Sequence, residues 1–338
     1  MNNVSIGDMA QAFTLRRHTA DMKTQLQRLT AEMSSGQKSD LAEAVSGDFK
    51  ALAGIDHSLS LLKAYHTATS EAVLFTSSLQ NALETTQQLA SDLAPTLASA
   101  GTSGGTTHVT AAAFDARQKL HSAVSALNVR VGDRYLLSGV ATDNKPLSGA
   151  QDILDALGTA ISGQVTASGV ITAISSWFDA PAGGGGYLDT VYGGSATPLA
   201  PFAIGSEEEA SMTITASDDT LRDTLKGLAM AAMVAEGALP GDDLGRALMV
   251  KTAGETLMTA NTDLATLRGN LGSVEGHIGD IATRNQAESS SLEIARSDIV
   301  AADPFATANE LEAVKTRLET LYTLTARLSR LSLADYLR

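Results

Sequence analysis

Apolar side chains recur at three- and four-residue intervals near the start of the chain. Leu15, Met22, Leu26, Leu29 and Met33 share one helical face, and no Pro or Gly falls between Asp8 and Ser35. Gly36 then supplies the glycine stop that such a helix wants. A second run opens near Asp48 and carries Leu52, Ile55, Leu59 and Leu62 at the same spacing. It is free of Gly and Pro from Ile55 to Ala94, and Pro95 with GTSGG (101–105) is expected to end it. A third helix is expected from about Thr110 to Val131, with Phe114, Leu120, Val124 and Leu127 on its apolar face.

The C-terminal part has the same character. Leu264, Leu267, Leu271, Val274, Ile278 and Ile281 form a heptad seam, and the register continues through Leu292 to Ile299. Gly269, Gly272, Gly276 and Gly279 weaken that helix by about 1 kcal/mol each where exposed, which implies close contact with neighbouring helices. Asp303-Pro304 reads as a cap with proline in the first helical position. A last helix follows, with Leu311, Val314, Leu318, Leu321 and Leu328 on one seam.

Between these ends the pattern changes. From Ala141 to about Pro240 the chain holds most of its prolines, the loop APAGGGGY (180–187) and short alternating runs. PFAIG (201–205) and ASMTITA (210–216) read as strands around the acidic Glu207–Glu209, and 150–162 and 218–236 as short helices. The expectation is a compact α+β insert of about 100 residues. At its entrance stands VRVGDRYLLSG (129–139). Gly132, Tyr135 and Gly139 mark a joint between helical arm and insert, with Tyr135 and Leu137 on one side of a short strand and Arg134 and Leu136 on the other.

Charge sharpens the division. Residues 1–140 carry 11 basic and 12 acidic residues and residues 256–338 carry 8 and 11, whereas 141–255 carry 5 and 15. Balanced ends suit helices that pack on helices; an acidic middle suits a solvated, outward-facing surface. No basic stripe exists to release counterions from phosphates, so nucleic acid is not an expected partner. Aromatics make up 4% of the chain, which points to Ala- and Leu-packed helices in place of a broad aromatic core. With 0 Cys, disulfides, thiolate metal sites and a thiol nucleophile are excluded. The N-terminal residues lack a cleavable signal pattern, and the uncharged stretch Ala156–Phe178 is too polar to span a bilayer.

Catalytic chemistry finds little footing. His57 and His66 lie nine residues apart, about half a turn out of phase on a helix, and form no metal pair. GGGG (183–186) and GTSGG lack the Lys-Ser/Thr that a phosphate loop requires. Asp242 and Asp243 read as helix-start residues. Trp177, Asp179, Glu207 and Asp218 make no recognisable catalytic cluster. No enzyme, no metal and no cofactor is expected.

Three stretches carry a resemblance. LQRLTAEMSSGQK (26–38) resembles the N-terminal flagellin pattern, with Met33 where Leu is usual. LRGNLGSVEGHI (267–278) and SDIVAADPFATANELEAV (297–314) resemble the C-terminal flagellin helix and the segment that leads into the last helix. VGDRYLLSG and the ending LETLYTLTARLSRLSLADYL are similar to the flagellar hook-associated proteins of the hook–filament junction, with Asp133 and Leu137 departing from that pattern. The resemblance covers both arms, about 220 residues, and not the middle. It implies a mainly α, flagellin-like elongated bundle of long N- and C-terminal helices with a small α+β insert. The implied parts are arms at 1–48 and 303–338, rod segments at 49–140 and 241–302, and an acidic insert at 141–240. It further implies a structural role in the bacterial flagellum. Self-association in a ring would proceed through Leu15, Met22, Leu26, Leu29, Met33, Leu311, Val314, Leu318, Leu321 and Leu328. The implied partners are an adjacent hook-associated protein, flagellin and an export chaperone, and the implied location is extracellular, reached through the flagellar secretion apparatus. A filament-forming flagellin is the alternative, and a secreted coiled-coil effector a more distant one.

Overall fold

The computed structural model describes residues 6–336, and side chains from residue 9 to residue 327. It is 73% helical with two small antiparallel strand pairs, which makes the fold mainly α. In chain order the elements are α1 (Ile6–Ser35), α2 (Leu41–Ala44), α3 (Lys50–Ser103), α4 (Thr106–Leu127), β1 (Arg130–Val131), β2 (Arg134–Tyr135), α5 (Ala150–Ala160), α6 (Ala167–Asp179), α7 (Tyr187–Thr190), β3 (Phe202–Gly205), β4 (Glu208–Ala210), α8 (Asp219–Ala235), α9 (Asp243–Val300) and α10 (Pro304–Tyr336). The chain divides into two compact units, one formed by residues 1–63 with 286–338 and the other by residues 64–285.

Residues 64–285 hold one continuous core. Leu83, Leu93 and Leu97 of α3, Leu120 and Leu127 of α4, Leu225 and Leu228 of α8, and Leu257 and Leu264 of α9 are all fully buried. Helix α8 buries every residue from Thr224 to Val234, because it lies on α4 while α5 and α6 also pack on it. A helix apolar on all sides belongs inside a fold. The expected insert therefore has no core of its own; its helices complete the core of α3, α4 and α9.

Several expectations need correction. Pro95 does not end its helix: α3 runs on to Ser103, and Gly104 (φ +64°) makes the break. Continued packing holds the last turns in place, with Leu97 buried and a Cβ on Gly101 or Gly254 falling 2.6–2.8 Å from backbone atoms across the α3–α9 contact. Close helix approach thus falls at Gly101 and Gly254, where any side chain would push the helices apart. It does not fall on the sequence-picked glycines: Gly269, Gly276 and Gly279 meet nothing within 4 Å, and Gly272 meets only the tip of Gln80. Helix α9 stays intact there because the opposite face buries Leu264, Leu271, Ile278 and Ile281.

The second expected strand is also displaced. β4 is Glu208–Ala210, within the acidic run, and pairs with β3. Its Glu208 is held against α9 by Arg284 at 3.3 Å and His277 at 3.6 Å, while the Asn285 amide donates to the Ile204 carbonyl at 2.7 Å. Cross-element charge partners, invisible in the local pattern, place that strand. Helix α6, which buries Val170, Ile174, Trp177 and Phe178, was absent from the sequence reading because Gly169 and a run of Ser, Thr and Ala blur its period. Asp242 and Asp303 act as expected at the helix starts, accepting the amides of Gly245 (2.8 Å) and Phe305 (2.8 Å).

Candidate functional site

Two places hold the residues singled out by the sequence: the terminal helices and the joint. In residues 1–63 with 286–338, α1 packs along α10. The pair is antiparallel, since Gly36 meets Ala302 at one level and Gln25 meets Glu310 further along, where the Gln25 amide donates to the carboxylate at 3.0 Å. Leu29 and Val314 are each 1% exposed and fill the seam. Leu15, Met22, Leu26, Leu311, Leu318 and Leu321 are half-buried. Met33 keeps its phase but is 49% exposed, because it lies in the last turn of α1, where the helix pair has only begun. The side chain of Leu328 lies outside the described residues.

Pairing within one chain has a consequence for contacts with other chains. Side chains such as Leu29 and Val314 are consumed by the pair itself. Among the described side chains, the large exposed apolar groups on these helices are Met9, Phe13 and Met33 of α1 and Phe305, Tyr322 and Leu324 of α10. Apart from Met33, none belongs to the seam read from the sequence. Apolar residues out of phase with a seam, on otherwise polar helices, are the signal that marks them.

Where the two helices meet, their flanking backbones join. The Lys38 amide donates to the Val300 carbonyl at 2.9 Å, the Ala302 amide donates to the Gly36 carbonyl at 2.9 Å, and Gln37 faces Ala301 in an antiparallel bridge. Gly36 takes φ +68°, the left-handed conformation that closes α1. Glu32, 8% exposed, accepts the Ser39 amide at 3.0 Å, with the Arg28 guanidinium 3.8 Å from its carboxylate. The two sequence stretches that resemble flagellin at either end, 26–38 and 297–314, therefore meet in space.

The joint at 129–139 pairs a solvent-facing hairpin with a buried end, Leu136 to Gly139. β1 and β2 pair across a turn at Gly132 (φ +58°), the Arg130 guanidinium lies over the Tyr135 ring at 5.6 Å, and Arg134 reaches Glu71 of α3 at 2.9 Å. The expected alternation stops at Tyr135. Leu136 and Leu137 are both buried, since the chain leaves the strand and turns through the core. Its backbone then ties three other stretches: the Tyr135 amide donates to the Thr142 carbonyl at 2.8 Å, and the Leu137 and Ser138 carbonyls accept the Ala216 and Ser195 amides at 2.9 Å. Gly139 sits at φ +59° where a Cβ would run into the carbonyl oxygens of Thr197 and Ser195, so only glycine fits.

Other candidates resolve structurally. Among the described residues no group of three or more His, Asp or Glu could hold a metal, and no helix is long and apolar enough to cross a membrane. The GGGG loop turns its amides inward. Gly183 and Gly185 donate to the Asp189 carboxylate at 2.8 and 2.6 Å, which holds that group below the usual carboxylate range.

The comparisons meet the geometry at the C-terminal half of the terminal pair. Residues 255–337 match the bacterial flagellin C-terminal helical region. Over that stretch the chain is similar to flagellins. The matched stretch takes in most of α9 and all of α10, and so includes the partner surface for α1. A search of the curated proteins finds no match. Proteins of the flagellin family are structural, exported and extracellular in the flagellum.

Proposed function

We propose that this flagellin-like chain is a hook-associated protein that forms the junction ring between hook and filament. The observation that carries the reading is the antiparallel α1–α10 pair: it buries Leu29 and Val314 within the chain but leaves the rest of its seam half-covered, and Met9, Phe13, Phe305, Tyr322 and Leu324 stay exposed. Apolar side chains spaced along paired helices are what a tubular assembly of such pairs would bury between subunits. The arms at 1–48 and 303–338 then line the assembly, the helices of 49–140 and 241–302 form the rod, and the acidic side chains of 141–240 face solvent while its helices complete the core. The joint favours a junction protein over a filament subunit, because the hub at Gly132, Tyr135 and Gly139 is built from the stretch that resembles hook-associated proteins. Its neighbours would be an adjacent hook-associated protein on one side and flagellin on the other, with an export chaperone before secretion.

Electron microscopy of cells lacking the chain tests this directly. Hooks without filaments, and filament protein shed into the medium, are expected. The flagellin match favours a second reading, a filament-forming subunit. Purified protein that grows long filaments alone would support that reading and overturn the junction.

A further inference from the structure

From the backbone contacts beside the terminal helices we infer that α1 and α10 close as a zipper that starts at residues 36–38 and 300–302 and runs outward to the chain ends. The inference rests on the terminal pair being the assembly element, and holds for a junction or a filament alike.

Three observations point the same way. Among the described residues, the backbone bonds between the two segments lie at one end of the pair. There two backbone hydrogen bonds of 2.9 Å and the Gln37–Ala301 bridge join the segments, and Glu32 fixes Ser39 from the side. Seam positions in the inner half of the pair are on balance more buried than those beyond it, although Met33 and Phe305 beside the clasp are exposed and Leu311 is half-buried. Val300, Ala302, Thr307, Val314 and Leu29 are buried, whereas Leu15, Met22, Leu318 and Leu321, farther from the clasp, are half-buried. Conformation is also pre-set there: Gly36 at φ +68° ends α1, and Asp303 with Pro304 starts α10 with two of its first amides capped. Zipping outward from a formed clasp adds helix turns to an existing contact, which avoids the costly step of nucleating two isolated helices side by side. Each arm residue added buries part of the seam, so the arms can stay open at their tips until another subunit arrives.

Gly36 gives a clean handle. A Cβ there meets nothing within 4 Å, so a substitution acts through its positive φ alone. Gly36→Val should open the clasp, because a β-branched residue resists that conformation, while Gly36→Asn, which tolerates it, should restore the clasp. Glu32→Ala provides an independent variant that leaves the backbone preference untouched. Amide hydrogen exchange on the full-length chain reads the result, with residues 64–285 as the internal standard for correct folding. In the wild-type chain protection should be highest at Lys38 and Ala302 and fall toward both ends. Gly36→Val and Glu32→Ala should speed exchange by about tenfold or more along both α1 and α10, and Gly36→Asn should not. Leu318→Ala should speed exchange only beyond its own position. The zipper is overturned if clasp variants leave the distal arms unchanged, if Leu318→Ala opens the clasp as strongly, or if Lys38 and Ala302 show no protection in the wild-type chain.

Discussion

Residues 64–285 and the terminal pair use the same kind of sequence, Ala- and Leu-rich heptads, to different ends. In the first, Leu83, Leu120, Leu225 and Leu257 are all fully buried, and α8 closes the gap between α4 and its neighbours. In the second, only a few seam positions reach that state, and large apolar groups such as Phe13 (70% exposed) and Phe305 (81%) face outward. The lesson is that periodicity identifies a helix that must be covered; the number of packed neighbours decides whether the chain covers it alone. A core with partners on every side is finished in the monomer. A two-helix seam is finished only when more helices are added.

The widest separation between the two regions comes from deletion. Removing residues 304–338 takes away half the terminal pair and none of the 64–285 core. Incorporation into flagella should be lost, whereas the soluble protein should keep its main melting transition within about 4 °C. Normal motility with that truncation would erase the distinction.

Single leucines should show the same contrast on a smaller scale. Leu257→Ala empties a fully buried site against Gly227 and should cost about 2–5 kcal/mol in urea unfolding. Leu318→Ala, at a half-buried seam position, should cost less than about 1 kcal/mol in the free chain, because less area leaves water there. It should weaken assembly more than folding.

Glycines divide by neighbourhood in the same way. Gly254→Ala places a Cβ 2.7 Å from the Ala98 nitrogen and 2.8 Å from the Ala94 oxygen, so it should destabilise by about 1–3 kcal/mol. Gly276→Ala meets open space on a helix and should stabilise by up to about 1 kcal/mol. Equal effects at the two sites would contradict the packing described for α3 and α9.

The smallest effect concerns acid. The Asp189 carboxylate is held below its ordinary range by the Gly183 and Gly185 amides. Its contribution to stability is then present above roughly pH 4 and lost as pH falls through the lowered native value. Asp189→Asn should lower the urea midpoint at neutral pH, and the gap to wild type should close on acidification. A gap that widens in acid would reverse the sign.

Much of this molecule was legible because long helices repeat one signal many times. Gly36, Asp303-Pro304 and Asp242 marked helix boundaries through their own backbone chemistry, and the structure uses each of them so. What stayed hidden depends on pairings distant in the chain. Pro95 is carried through α3 by packing, β4 meets Arg284 and His277 of α9, and Gly139 lets residues 195–197 close on the joint. At the terminal pair the seam was visible from its period. The outward residues Met9, Phe13, Tyr322 and Leu324 were not, because their meaning depends on which face α10 or α1 already occupies.

Limited proteolysis with mapped cleavage sites, on the free chain and again after assembly, tests the central division most directly. Cuts in the free chain should concentrate in the outer parts of α1 and α10, leave 64–285 intact, and disappear from the arms on assembly. Cleavage spread evenly along the free chain, or arms that stay equally cleavable once assembled, would contradict a terminal pair completed only by its neighbours.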